Sequence, residues 1–164
     1  MSKVKRSAKL AFMDVGTEDK PSFARMTKFS QMSKSKNPKE HTTQYVDMDF
    51  EETDVVGFSE SISFGFDLHT GNAVHEKIVE IYDKEKIGDD AVVSILVVDR
   101  SKSTEDKAAE YPARLRRYTV VPGDEGGNLD RYDYSGTFKV KSDIIEGTAT
   151  TTDEWATCTF APAE

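Results

Sequence analysis

The densest cluster of chemically capable side chains is the acidic run Asp47, Asp49, Glu51, Glu52 and Asp54. Carboxylates on alternate residues can gather a hard cation, and the first three match ligand positions 1, 3 and 5 of a calcium loop. Such a loop also needs Gly at its sixth position and Glu at its twelfth. Here those positions hold Glu52 and Phe58, which excludes an EF-hand. With Met48 and Phe50 interleaved, Asp47, Asp49 and Glu51 read instead as the wet or subunit-facing side of a strand or long hairpin. The histidines His41, His69 and His75 form no HxH or HxxxH metal pair. His75 falls in the first turn of an expected helix and reads as a surface or capping residue. Cys158, the only cysteine, lies in an alternating Thr/Ala segment and reads as a buried thiol, not a nucleophile. Serines are plentiful, but there is no GxSxG elbow, GxxxxGK phosphate loop or GxGxxG turn. Arg114, Arg116 and Arg117 form the one basic cluster outside the N-terminal region. Only Tyr118 adjoins them, whereas a nucleic-acid surface interleaves aromatics with its cations. Arg114 and Arg116 share a strand face and suit salt bridges to a neighbouring subunit. No catalytic, metal or cofactor site assembles from these residues, and the expectation is a protein that is not an enzyme.

The elements that carry these residues are mostly strands. From Phe58 to Leu68 the even positions read Phe58, Glu60, Ile62, Phe64, Phe66, Leu68. The odd positions read Ser59, Ser61, Ser63, Gly65, Asp67, so one face is apolar and the other small and polar. Tyr132 to Lys141 repeats the pattern, with Tyr132, Tyr134, Phe138 and Val140 opposite Asp133, Ser135, Thr137, Lys139 and Lys141. Residues 91–98 are apolar on both faces, as in a fully covered strand. Further strands are expected at 7–15, 22–32, 42–50, 113–121, 144–152 and 155–160. One helix is expected from an Asn72 N-cap to about Lys86, with Val74, Ile78, Ile81 and Tyr82 on one stripe and Gly88 as its stop. Charged connections are expected at Ser33 to His41 and Ser101 to Pro112, with a turn over Pro122 to Asn128. The fold class is mainly β, a sandwich or barrel with one flanking helix, in a single domain over residues 1–164.

Charge is distributed unevenly. The net charge is −8, but residues 1–40 carry +6 and residues 41–164 carry −14. A basic segment on an acidic body suits nucleic acid or the acidic body of another copy, and charge alone does not choose. Lys3, Lys5, Arg6 and Lys9 are followed by only a short apolar stretch, Leu10 to Met13, which is too little for an export signal or a membrane span. With a single cysteine, the expectation is folding in a reducing cytoplasm without membrane anchoring.

Three stretches together resemble the major tail (tail tube) proteins of long-tailed bacteriophages, of the short single-domain type. They are Lys39 to Asp67, His69 to Val98, and Tyr134 to Phe160 with its Tyr-Ser-Gly-Thr-Phe, Gly-Thr-Ala-Thr and Trp155. The resemblance implies a β-sandwich subunit with a flanking helix, forming hexameric rings stacked into a hollow DNA conduit without sequence-specific DNA binding. It implies location in the virion tail after assembly in the host cytoplasm. The implied partners are other copies and the tape-measure, tail-tip and terminator proteins; no cofactor is implied. By position, an N-terminal arm lies within 1–15 and a long inter-ring hairpin loop at 34–54. The inter-ring candidates are Lys34, Lys36, Lys39, Asp47, Asp49, Glu51 and Asp54. Ser59, Ser61, Ser63, Asp133 and Ser135 are candidates for a polar, non-adhesive lumen wall. Lys3, Lys5, Arg6, Arg114 and Arg116 are candidates for charge contacts between subunits. The inner tube of a contractile tail or of a phage-derived bacteriocin particle stays open as an alternative. So does a monomeric β-sandwich binding module.

Overall fold

The computed structural model describes residues 1–102 and 110–164. The chain is mainly β, with one α-helix, α1 (Ala73–Asp83), among the described residues. The strands are β1 (Lys9–Asp14), β2 (Phe23–Arg25), β3 (Phe29–Ser35), β4 (Pro38–Thr43), β5 (Glu52–Phe58), β6 (Ser61–Asp67), β7 (Val92–Asp99), β8 (Tyr111–Gly127), β9 (Tyr132–Val140), β10 (Ile145–Thr150) and β11 (Thr157–Pro162). Nine of them form one antiparallel sheet in the order β10-β11-β2-β1-β7-β8-β9-β6-β3. Among the described residues, β4 and β5 pair only with each other.

The long strand β8 shapes the molecule. On one edge its first half pairs with β10, from Tyr111 opposite Ala149 to Leu115 opposite Ile145. The same edge then continues along β9 from Tyr118 opposite Val140. Because β7 lies on the other edge, strands β8, β7, β1, β2, β11 and β10 close into a ring. Leu10, Phe12, Phe23, Leu96, Val98, Ala113, Ala149 and Trp155 fill it. The opposite faces of β1, β7 and β8 join β9, β6 and β3 to form a second layer over a second core, which α1 covers. Met13, Val93, Ile95, Tyr118 and Val120 belong to that second core, one parity away from the residues inside the ring.

Local chemistry explains the elements. Ile62, Phe64 and Phe66 alternate inward on β6. Phe64 stacks on Phe138 of β9 with ring centroids 4.2 Å apart, and Phe66 stacks on Tyr134 at 5.4 Å. Gly136, opposite Phe64 in the ladder, is required because a Cβ there would collide with the Tyr82 hydroxyl and the Val121 carbonyl oxygen. Asn72 caps α1, its Oδ1 accepting from the Val74 and His75 amides at 3.1 and 3.3 Å. The helix ends earlier than Lys86, with Glu85 rather than Gly88 taking the left-handed cap conformation (φ 47°). The Lys86 and Glu85 amides then donate to the Ile81 and Tyr82 carbonyls, a Schellman closure.

Several boundaries differ from expectation. The expected strand 22–32 is two strands, broken where Lys28 turns left-handed (φ 62°), so β2 joins the ring and β3 the far sheet edge. The expected connection at 33–41 contains the end of β3 and most of β4, folded about Asn37 (φ 44°). Both strands are exposed there, so no apolar period marks them. The expected strand 42–50 is mostly the tip between β4 and β5. Pro122 to Gly127 extends β8 instead of turning, because a register shift between Pro122 and Glu125 accommodates the proline. Leu10, Phe12 and Met13 are buried in β1, so a free arm cannot extend through residue 15. Residues 103–109 of the expected connection Ser101 to Pro112 lie outside the described residues.

Candidate functional site: a projecting hairpin and its anchored root

The β4–β5 hairpin stands clear of the body. Its ladder runs from Pro38 opposite Phe58 to Thr43 opposite Glu52. Six residues of strand reach about 20 Å. Tyr45, Val46, Phe50, Val55, Val56 and Phe58 are all exposed along it, Val46 fully so and Phe58 by 58%. A two-stranded ribbon has little stability of its own in water. Apolar side chains gathered on such a ribbon mark an interaction surface.

One buried carboxylate holds the hairpin to the body. Glu60 lies in the short link from β5 to β6 and is only 2% exposed. Its Oε2 receives Arg116 Nη1 at 2.8 Å and Lys36 Nζ at 3.1 Å. Its Oε1 pairs with Lys34 Nζ at 3.3 Å and accepts from the Tyr118 hydroxyl at 2.7 Å. Lys34 lies near the end of β3, Lys36 in the link from β3 into the hairpin, Glu60 in the link out of it, and Arg116 and Tyr118 on β8. The two links at the hairpin root are therefore tied to one another and to the sheet. Burial pushes the Glu60 carboxyl upward in pKa, but the Tyr118 and Lys36 hydrogen bonds and the Lys34 and Lys36 charges outweigh it and hold it at about 2. Burial first, and then the Glu60 hydrogen bond and charge, push Tyr118 well above the ordinary phenol range. Asn37 completes the root, its Nδ2 donating to the Ser59 carbonyl at 3.0 Å and to Ser61 Oγ at 3.1 Å.

The candidate residues separate into groups. Asp47, Asp49 and Glu51 sit at the exposed tip; Lys39 and Asp54 lie on the ribbon, opposite Gly57 and His41. Lys34 and Lys36 are not loop residues: they form part of the Glu60 clamp, as does Arg116, whose Nε also donates to the Ser142 carbonyl at 2.8 Å. Arg116 is thus an internal ion, because the carboxylate it neutralises is buried. Arg114 stays exposed, with Glu146 at 3.8 Å. Arg6 donates to the Met32 carbonyl from the turn before β1, while Lys3 and Lys5 are exposed. Ser61, Ser63 and Ser135 share one face of the β3-β6-β9-β8 layer with Ser33, Ser35 and Thr137 by ladder register. Asp133 ends that face opposite Asp67, and Ser59 lies in the hairpin root.

His75 and Cys158 serve packing. His75 is fully buried, not on the surface, stacked on Phe66 at 4.3 Å. Its Nδ1 accepts from the His69 amide at 3.2 Å, so Nε2 donates to the Thr27 carbonyl at 3.0 Å. Burial lowers its pKa. Cys158 is half-buried, and burial together with Asp153 pushes its thiol up to about 12, which suppresses thiolate chemistry.

A groove adjoins the root. It encloses about 1560 Å³ between β3 and the faces of β1, β7, β8 and β10.

No family model matches the chain, and no curated protein matches it. Among solved structures, it is similar to a chain of the tail of an empty gene transfer agent (GTA) particle with C6 symmetry. The identity is 12%, the TM-score 0.60, and the match covers 92% of this chain and 100% of the other. It is similar also to a chain of the virion of a native gene transfer agent particle, at 12% identity and TM-score 0.60, covering 87% and 97%. At this identity the likeness establishes a shared fold.

Proposed function

We propose that this chain is the structural subunit of a phage-type tail tube, in which copies join laterally into sixfold rings and the rings stack through the β4–β5 hairpin. The observation that carries this reading is the hairpin itself. A ribbon exposing Tyr45, Val46, Phe50, Val55, Val56 and Phe58 is poorly suited to life as a monomer, yet the Glu60 clamp fixes its direction. Rigid aim and exposed apolar surface together describe a part built to engage another molecule. The shared fold with chains of tail and virion particles, one of C6 symmetry, supports a tube of identical copies. Lateral joining would also pair the outer edge of β3, on which no strand pairs among the described residues.

In this reading the hydroxyl-rich face of Ser33, Ser61, Ser63, Ser135 and Thr137 lines the lumen. Small hydroxyl groups predominate there beside Lys139, and in a chain of net charge −8 they let a polyanion slide without being held. Tape-measure, tail-tip and terminator proteins are the partners that such a tube requires. Assembly in the host cytoplasm follows from the same reading, and DNA passes through without sequence recognition. The test is sedimentation velocity over a concentration series. Species far larger than 18.3 kDa are expected to grow with concentration. A single monomer boundary throughout would contradict the reading.

A further inference from the structure

The groove beside the hairpin root has the opposite character to the hairpin tip. Nine Lys and Arg side chains line it, against the three carboxylates of Glu60, Asp99 and Glu146. Arg25, Lys28, Lys102 and Arg114 are among the cations, while Ala11, Ile95 and Val97 supply an apolar lining. Its volume exceeds that of an ordinary small-molecule pocket, so it suits a polypeptide segment. The tip carries Asp47, Asp49 and Glu51 alternating with apolar side chains, of which Tyr45, Val46 and Phe50 are exposed. Acidic and apolar groups on one segment match basic and apolar groups in one groove.

We infer that the groove is the receptor for the β4–β5 tip of a second copy of this chain. This rests on the tube reading and adds the surface on which the hairpin seats. The chain's own tip does not occupy the groove. None of residues 37–59 lines it, and the clamped ribbon carries the tip about 20 Å from a root that borders it. The contact is therefore heterologous, tip to groove, and along the axis of the proposed tube it repeats as an open stack. A nucleic acid backbone would use the cations but leave the half-buried Ala11 and Val97 uncovered.

The test uses two full-length charge-reversed chains. One carries Asp47→Lys, Asp49→Lys and Glu51→Lys at the tip. The other carries Arg25→Glu, Lys28→Glu and Arg114→Glu in the groove, with Arg114→Glu alone as a milder form. Circular dichroism checks folding, and sedimentation velocity reads association. Each reversed chain alone is expected to associate at least about tenfold more weakly than wild type. Mixed in equal amounts, the two should regain wild-type association, because each tip then meets a groove of opposite sign. Folded reversed chains that associate like wild type would overturn the groove assignment and leave the tube reading standing. So would a mixture that stays apart. A wild-type chain that never associates would overturn both. Wild type retaining a labelled DNA duplex that the groove variant releases, with the tip variant still assembling, would reassign the groove to phosphate and also overturn the proposal.

Discussion

Replacing Glu60 by Gln keeps the volume and removes the charge that three cations share. The carboxyl is held at about 2, against 4.5 for the free group, so its ionised form is favoured by the fold. That difference corresponds to about 3 kcal/mol at neutral pH. Lys34 and Lys36 are 39% and 50% exposed and can turn towards water, but Arg116 at 14% cannot. The Glu60→Gln variant should therefore lose about 2–3 kcal/mol at pH 7, since breaking a buried pair strands its partner. For a chain of this size that is a fall in Tm of roughly 5–10 °C. The pH dependence gives the sharper check. A depressed carboxyl pKa contributes stability that is fully present above 4.5 and disappears as pH falls towards 2. The melting curves of wild type and variant should thus differ most near neutral pH and converge as pH approaches about 2. Hydrogen exchange at Ser59, whose amide donates to the Lys36 carbonyl at 3.2 Å, should quicken in the variant as the root loosens. Equal stability at neutral pH, or a gap that does not change with pH, would refute the clamp.

Further outcomes follow from individual contacts. His75 is depressed in pKa and neutral in the fold, so wild-type stability should decline as pH falls below the unfolded value near 6.5. His75→Phe should remove that slope in urea titrations at about pH 7 and 5.5, while costing about 1–3 kcal/mol for the His69 amide it leaves unpaired and the Thr27 carbonyl it leaves with Asn72 Nδ2 at 3.4 Å. Gly136→Ala should cost at least about 1–3 kcal/mol by overpacking, and Tyr82→Phe in the same chain should restore only part, because the Val121 carbonyl also crowds the new methyl. Val46→Asp with Phe50→Asp should leave monomer stability within about 0.5 kcal/mol, both side chains being exposed, yet weaken self-association in sedimentation.

Much of the architecture could be read from residue order, and the exceptions have physical causes. Strict alternation at Ile62, Phe64 and Phe66 and the stripe Val74, Ile78, Ile81 and Tyr82 located β6 and α1, because one buried face imposes its period on the residues. β4 and β5 left no such trace, since both strands are exposed among the described residues. The hairpin was expected a few residues early, at 34–54, for the same reason. Glu60 stands out as the one polar residue among the even positions from Phe58 to Leu68. A carboxylate at such a position demands cations, but Lys34, Lys36, Arg116 and Tyr118 reach it only through the pairing of β3, β6, β9 and β8, which periodicity does not specify. His75 was expected in a surface or capping role, and it is buried because β6 and the segment around Thr27 close over the first helical turn. The groove is invisible in the sequence for a similar reason: its cations come from strands far apart in the chain.

The most direct test of the tube is electron microscopy of the concentrated full-length protein in negative stain. Hollow tubes of uniform diameter, with sixfold rings in end view, are the predicted result. Uniform isolated particles of monomer size, at concentrations where the chain remains folded, would contradict it.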